Sequence, residues 1–153
     1  MKRAIFVFLI IITATCIAVP AGAKDWETNF KHALKKAKEN SRYILLNFSG
    51  SDWCVYCKKL DKEVFNNKNF QDYARNNFVC VVLDFPYYKP QDQTLKDQNT
   101  ALAGKYRVQG YPTIVILSPK GKLVQKTGYL SGGAKIYIEH LKEIIVTYEG
   151  KSS

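Results

Sequence analysis

Cys54 and Cys57 stand three residues apart in Trp53-Cys54-Val55-Tyr56-Cys57-Lys58 and form the strongest chemical signal in this 153-residue chain. They fall at the junction of a predicted strand and a predicted helix, where two thiols can cycle between dithiol and disulfide. A helix start presents unpaired backbone N–H groups and the positive end of the dipole, and both favour a thiolate. Cys54 sits where that field is greatest, and Lys58, one turn later, adds positive charge on the same side. Cys57 falls within the first turn and is expected to be less exposed. The expectation is a nucleophilic Cys54 and a resolving Cys57. Two blander readings use the same residues. A zinc site needs four ligands; a second cysteine pair is missing and His32 and His140 fall on separate predicted helices, so no metal is expected. A purely structural disulfide stays open as an alternative, although so short a loop adds little closure entropy.

The elements that must hold this pair follow from periodicity. Trp26, Phe30, Leu34 and Ala37 recur at helical spacing, predicting a helix over Lys24 to Asn40. Tyr43 to Phe48 reads as a buried strand running into the loop Ser49-Gly50-Ser51-Asp52. Cys57, Leu60 and Val64 restore helical spacing, and a further helical piece lies around Phe70 to Arg75. Phe78 to Leu83 is a continuous apolar run, as expected of a strand covered on both faces. Phe85 to Gln98, polar and carrying Pro86 and Pro90, predicts a long loop, with a short helix over Ala101 to Tyr106. Thr113 to Leu117 and Lys122 to Thr127 flank a Ser-Pro-Lys-Gly turn and predict an antiparallel hairpin. Ile138, Leu141, Ile145 and Tyr148 mark a closing helix. The alternation predicts an α/β fold, a central mixed β-sheet flanked by helices on both faces.

Ile44-Leu-Leu-Asn-Phe48, Trp53-Cys-Val-Tyr-Cys-Lys58 and Val108-Gln-Gly-Tyr-Pro-Thr113, in that order, resemble the thioredoxin superfamily over nearly the whole domain. Within it, the Cys motif and Glu63-Val-Phe65 most resemble the C-terminal domain of the disulfide reductase DsbD and related exported proteins. The resemblance implies a thioredoxin-like fold, a cis Pro112 preceded by Tyr111, and a substrate face built from Trp53, Val55, Tyr56, Tyr111 and Pro112. A cis X-Pro bond turns the chain sharply and leaves the preceding backbone free to pair with an extended peptide. Gly128 resembles the family's glycine after the hairpin, where a side chain would obstruct the groove. The implied activity is reduction of protein disulfides, with an oxidase or isomerase, or a binding module with a static disulfide, as alternatives. No cofactor is expected beyond the Cys54–Cys57 disulfide. Its expected partners are disulfide-containing exported proteins and an upstream thiol reductant such as a membrane disulfide reductase.

The chain also departs from the family. The position of the family's buried aspartate aligns with Asn47, with one extra residue in the following loop, so deprotonation of Cys57 needs water or another base, for which Asp52 and Asp84 are both candidates. Asn accepts no proton at neutral pH. Tyr87 and Tyr88 in the long loop are expected to pack on their own domain, with contact to a partner as the alternative, and Cys80, within an apolar strand, to be a buried, inert thiol.

Length, composition and the first residues set the context. Hydrophobic residues at 46% and charged residues at 24% are globular values that disfavour disorder and coiled coil. Lys2 and Arg3 precede an uncharged apolar run, Ala4 to Val19, that ends in Pro20-Ala21-Gly22-Ala23. That pattern predicts a secretory signal peptide over 1–23, a thioredoxin-like domain over 24–153, and work in the periplasm or another extracytoplasmic space where disulfides persist. Cys16 would be lost with the leader. The net charge of +10 favours acidic partners; nucleic acid is not expected, because no reader motif accompanies the charge. Intact mass of the exported protein should show a chain beginning at Lys24, and retained residues 1–23 or a lipid on Cys16 would overturn the processing expectation.

Overall fold

Strand β1 (Tyr43–Ser49) is buried at six of its seven positions, the accessibility its apolar run requires. It hydrogen-bonds in parallel to β2 (Phe78–Asp84) on one side and antiparallel to β3 (Thr113–Leu117) on the other. The hairpin partner β4 (Leu123–Thr127) completes a four-stranded sheet in the order β2-β1-β3-β4. Five helices accompany it in the computed structural model, which describes residues 26–152: α1 (Phe30–Glu39), α2 (Val55–Leu60), α3 (Lys68–Asn77), α4 (Gln93–Lys105) and α5 (Gly133–Ser152). The leader, its Ala21-Gly22-Ala23 site and Cys16 lie outside these residues.

Alternation along the strands sorts side chains into two cores. Leu45, Cys80, Ile114 and Ile116 meet Leu60, Val64, Phe65, Phe70, Tyr137 and Leu141 on the face covered by α2, α3 and α5. Ile44, Leu46, Phe48, Val81 and Val115 meet Ala33 and Ala37 of α1 and Leu102 of α4 on the other. Helices therefore cover both faces, as the alternation of elements predicts. Between α2 and α3 the chain forms a π-helical turn, Asp61–Phe65, in which the adjacent Val64 and Phe65 are both fully buried.

Two predicted boundaries are corrected. The first helix starts at Phe30, not Lys24, because the Asn29 side chain accepts the His32 N–H at 2.9 Å and caps it there. Upstream, Glu27 makes a parallel bridge to Val81, and Trp26 packs on Phe65 with ring centroids 4.8 Å apart. Trp26 mimics helical spacing while sitting on an extended segment. The predicted loop over Phe85 to Gln98 ends early, because α4 begins at Gln93, where Asp92 accepts the Thr94 and Leu95 N–H groups. Its first half shows no apolar stripe because its inward contacts are polar. Gln98 bonds Phe30 and Thr28, and the buried Asn99 donates to the Asp84 carbonyl at 2.9 Å.

Phe65 joins the elements beneath the active-site helix: its ring meets Trp26, Phe70 and Tyr137 and has no solvent exposure. Truncation to alanine leaves a cavity and loses aromatic contacts. Phe65→Ala should lower unfolding stability by about 3–5 kcal/mol in denaturant titrations, and a loss under about 1 kcal/mol would contradict this packing.

Candidate active site

β1 delivers the chain to a tight loop at its C-terminal end, and the loop is folded by its own residues. The Cys54 N–H donates to the Gly50 carbonyl at 2.9 Å, closing the turn. A Cβ on Gly50 would lie 2.4 Å from Cε2 of Trp53, so the absence of a side chain there lets the indole lie across the loop. Trp53 Nε1 donates to the Phe85 carbonyl at 2.8 Å, and its ring meets Tyr111 edge-on at 5.6 Å. That contact brings the Tyr111–Pro112 segment, whose peptide bond is cis, beside the cysteine loop. A Cβ on Gly128 would sit 3.3 Å from the Pro112 carbonyl oxygen, so a larger residue there would push on the cis-proline turn.

Cys54 is the N-cap of α2, in extended backbone geometry, and its Sγ accepts the Cys57 N–H at 3.1 Å. Cys54 and Cys57 are joined in a disulfide. The expected difference in exposure is not present: Cys54 is 5% and Cys57 4% accessible. What separates them in this oxidised form is hydrogen bonding, since the Cys57 N–H, in the first turn of the helix, is directed at Cys54 Sγ. Lys58 donates from Nζ to the Asp52 carbonyl at 2.7 Å, which holds its positive charge against the cysteine loop.

Around the buried sulfurs the side chains are exposed. Val55 and Tyr56 project outward from the first turn of α2, and Trp53 is part-exposed. Tyr56 stacks obliquely on Tyr129 at 5.8 Å; the Tyr129 hydroxyl donates to Glu63 at 2.7 Å, and Lys59 lies over the Tyr129 ring. The Glu63–Tyr129 bond was not legible in the sequence, because it joins residues 66 apart. The structure thus gathers Trp53, Val55, Tyr56, Cys54, Cys57, Tyr111 and Pro112 at one end of the sheet.

Both acids named as proton acceptors for Cys57 have other partners. Asp84 accepts from the Ser51 N–H and Oγ at 2.8 and 2.6 Å. Asp52 accepts the backbone N–H groups of Tyr87, Tyr88 and Lys89 at 3.0, 2.8 and 3.1 Å. Asn47, on the β1 face shared with Leu45, is buried and its Oδ1 has no hydrogen-bond partner. Cys80 lies buried in β2, as its apolar surroundings predict. Tyr87 and Tyr88 are corrected: they do not pack on the domain but stand exposed, ring against ring at 4.9 Å.

A family model described as a thioredoxin-like domain matches residues 30–144. The chain belongs to the thioredoxin-like domain family. It is 29% identical over 127 residues to the disulfide bond reductase DsbH of Chlamydia pneumoniae, covering 83% of this chain and 76% of that one. Against the thiol:disulfide interchange protein DsbD of Vibrio cholerae it is 29% identical, covering 76% of this chain but only 18% of that much longer protein. A solved structure of a DsbH oxidoreductase superposes with a TM-score of 0.74 at 30% identity, covering 78% of this chain and 82% of that one. This thioredoxin-like chain is a thiol–disulfide oxidoreductase of the DsbH and DsbD type, with its disulfide at Cys54–Cys57.

Partial burial raises the Asp52 carboxyl, but the three loop amides outweigh it and hold the group below its ordinary value of 3.8. A depressed folded-state pKa contributes stability that is complete above the unfolded value and lost as pH falls through the folded one. The Tyr87, Tyr88 and Lys89 amide resonances should therefore shift on acidification with a midpoint below the ordinary value of 3.8, and Asp52→Asn should remove that transition. A midpoint above 3.8 would show that the carboxylate does not hold the loop.

Proposed function

We propose that this thiol–disulfide oxidoreductase works outside the cytoplasm in the reducing direction, with Cys54 as nucleophile and Cys57 as resolving thiol. The observation that carries the assignment of roles is the Cys57 N–H directed at Cys54 Sγ at the helix N-cap. A donor aimed at that sulfur stabilises negative charge on it and lowers its pKa in the reduced form. Names of the relatives support the direction, since DsbH is a disulfide bond reductase. The predicted leader supports export, and among the described residues no helix is long and apolar enough to cross a membrane.

The reaction runs in two exchanges. The Cys54 thiolate attacks one sulfur of the substrate disulfide; the other substrate sulfur leaves as a thiolate and takes a proton from solvent. Cys57 then loses its proton and attacks Cys54 Sγ, forming the Cys54–Cys57 bond and releasing the second substrate thiolate, which is protonated in turn. Two electrons and two protons have passed to the substrate. An upstream dithiol, such as that of a membrane disulfide reductase, reverses the change on this chain and is itself oxidised. Trp53, Val55, Tyr56, Tyr111 and Pro112 form the face on which the substrate lies during both exchanges. With Asp52 and Asp84 engaged by the loop and Asn47 unable to take a proton, solvent is the acceptor for Cys57.

Cys57→Ser should still attack but be unable to resolve, trapping substrates on Cys54 as thiol-sensitive adducts after acid quench. Cys54→Ser should give few. Equal trapping by the two variants would overturn the division of roles. The Cys54–Cys57 potential should lie in the reducing range, near the about −270 mV typical of thioredoxin, and a value near the about −120 mV of a strong oxidant would overturn the direction.

A further inference from the structure

The loop after β2 is held more firmly than its exposure requires. Its entrance is tied to the cysteine loop by the Phe85 N–H to the Ser49 carbonyl at 2.7 Å and by the Trp53 indole to the Phe85 carbonyl. Asp84 anchors Ser51 through its carboxylate, while its carbonyl accepts from Gln91 and Asn99. The Asp52 carboxylate then gathers three successive amides, Tyr87 to Lys89. A loop with its backbone so constrained usually buries its large side chains. Here the two tyrosines are 78% and 76% exposed and pack on each other. Ordering exposed aromatic rings gives the isolated fold almost nothing, since their apolar area stays in water. It does prepare a contact: tyrosine offers a large amphipathic surface at low entropic cost and is enriched at interface hot spots.

The position of the pair identifies what it contacts. Asp52, which holds it, is two residues from Cys54, and Trp53, bonded to the Phe85 carbonyl at the entrance of the same loop, is exposed together with Val55 and Tyr56 beside the disulfide. The two sulfurs are almost fully covered, so a disulfide within a polypeptide must bring its flanking residues against this surface to reach Cys54. Lys58, fixed to the Asp52 carbonyl, and the exposed Lys89 border the tyrosines on a chain of net charge +10, which complements an acidic segment. We propose that Tyr87 and Tyr88 are specificity-determining residues that seat an apolar side chain in an acidic polypeptide segment flanking the substrate disulfide, and that Asp52 is the positioning residue that presents them. The proposal rests on the reductase reading and adds where the polypeptide is recognised.

The test uses the full chain, with dithiothreitol as recycling reductant and insulin as the polypeptide disulfide. Replacing both tyrosines (Tyr87→Ser with Tyr88→Ser) should raise the KM for insulin about thirtyfold, a hot-spot-sized loss, with kcat within about twofold. The conservative pair Tyr87→Phe with Tyr88→Phe should keep the wild-type KM, because the rings and not the hydroxyls make the contact. Asp52→Ala should raise KM comparably, and adding the two serine changes to it should raise KM less than about twofold further, the non-additivity expected if Asp52 acts through the tyrosines. An unchanged KM in the serine variant, or a fall in kcat instead, overturns the proposal. So does an unchanged KM accompanied by loss of a dimer in sedimentation, which would assign the patch to a second copy of the chain. Wild-type protein that reduces neither insulin nor glutathione disulfide would instead overturn the reductase reading on which the proposal stands.

Discussion

Burial of β1 on both faces is the constraint from which the rest of the architecture follows. A strand between two hydrogen-bonded neighbours and two helical layers has no solvent-facing side, so nearly every residue must be apolar, and Ile44-Leu45-Leu46 and Phe48 meet that demand. Leu45 packs with the α2, α3 and α5 layer, while Ile44, Leu46 and Phe48 pack with α1 and α4. A strand so placed cannot slip by one residue without exchanging its two faces. Its end at Ser49 is therefore a fixed point, and the cysteines, five and eight residues later, inherit that precision. Asn47 is the one amide within the buried run, and its Oδ1 has no hydrogen-bond partner there.

At the end of β1, electrostatics takes over from packing. Two carboxylates, Asp52 and Asp84, bind the cysteine loop and the loop after β2 to one another through backbone amides and a hydroxyl. The arrangement joins two segments that lie more than thirty residues apart in sequence into one rigid rim. Both carboxylates, the candidate proton acceptors nearest the cysteines in sequence, thus carry structural hydrogen bonds.

The fold was legible wherever a local pattern carried it. The apolar runs located β1 and β2, the Ser-Pro-Lys-Gly turn located the hairpin, and the apolar spacing of Ile138 to Tyr148 located α5. It was not legible where helical faces are polar or where an extended residue falls on a helical period. The first half of α4 buries amides rather than aliphatics, so nothing in its sequence alternates, and Trp26 sits one turn before Phe30 while belonging to the opposite core. In both cases a capping side chain, Asp92 or Asn29, decides the boundary.

The sequence by itself determined the chemistry: two thiols at one-turn spacing where a buried strand meets a helix, with Tyr111-Pro112 before another strand. Those are local relations, and local geometry fixes what they can do. Only the tertiary structure decided that Cys54 and Cys57 are equally covered, that the Asp52 carboxylate holds the backbone of the loop after β2, and that Tyr87 and Tyr88 face solvent. Each of these depends on hydrogen bonds or contacts between residues dozens of positions apart. Such pairings leave no periodic trace in the chain, because a backbone N–H donates to whatever carboxylate the fold brings to it.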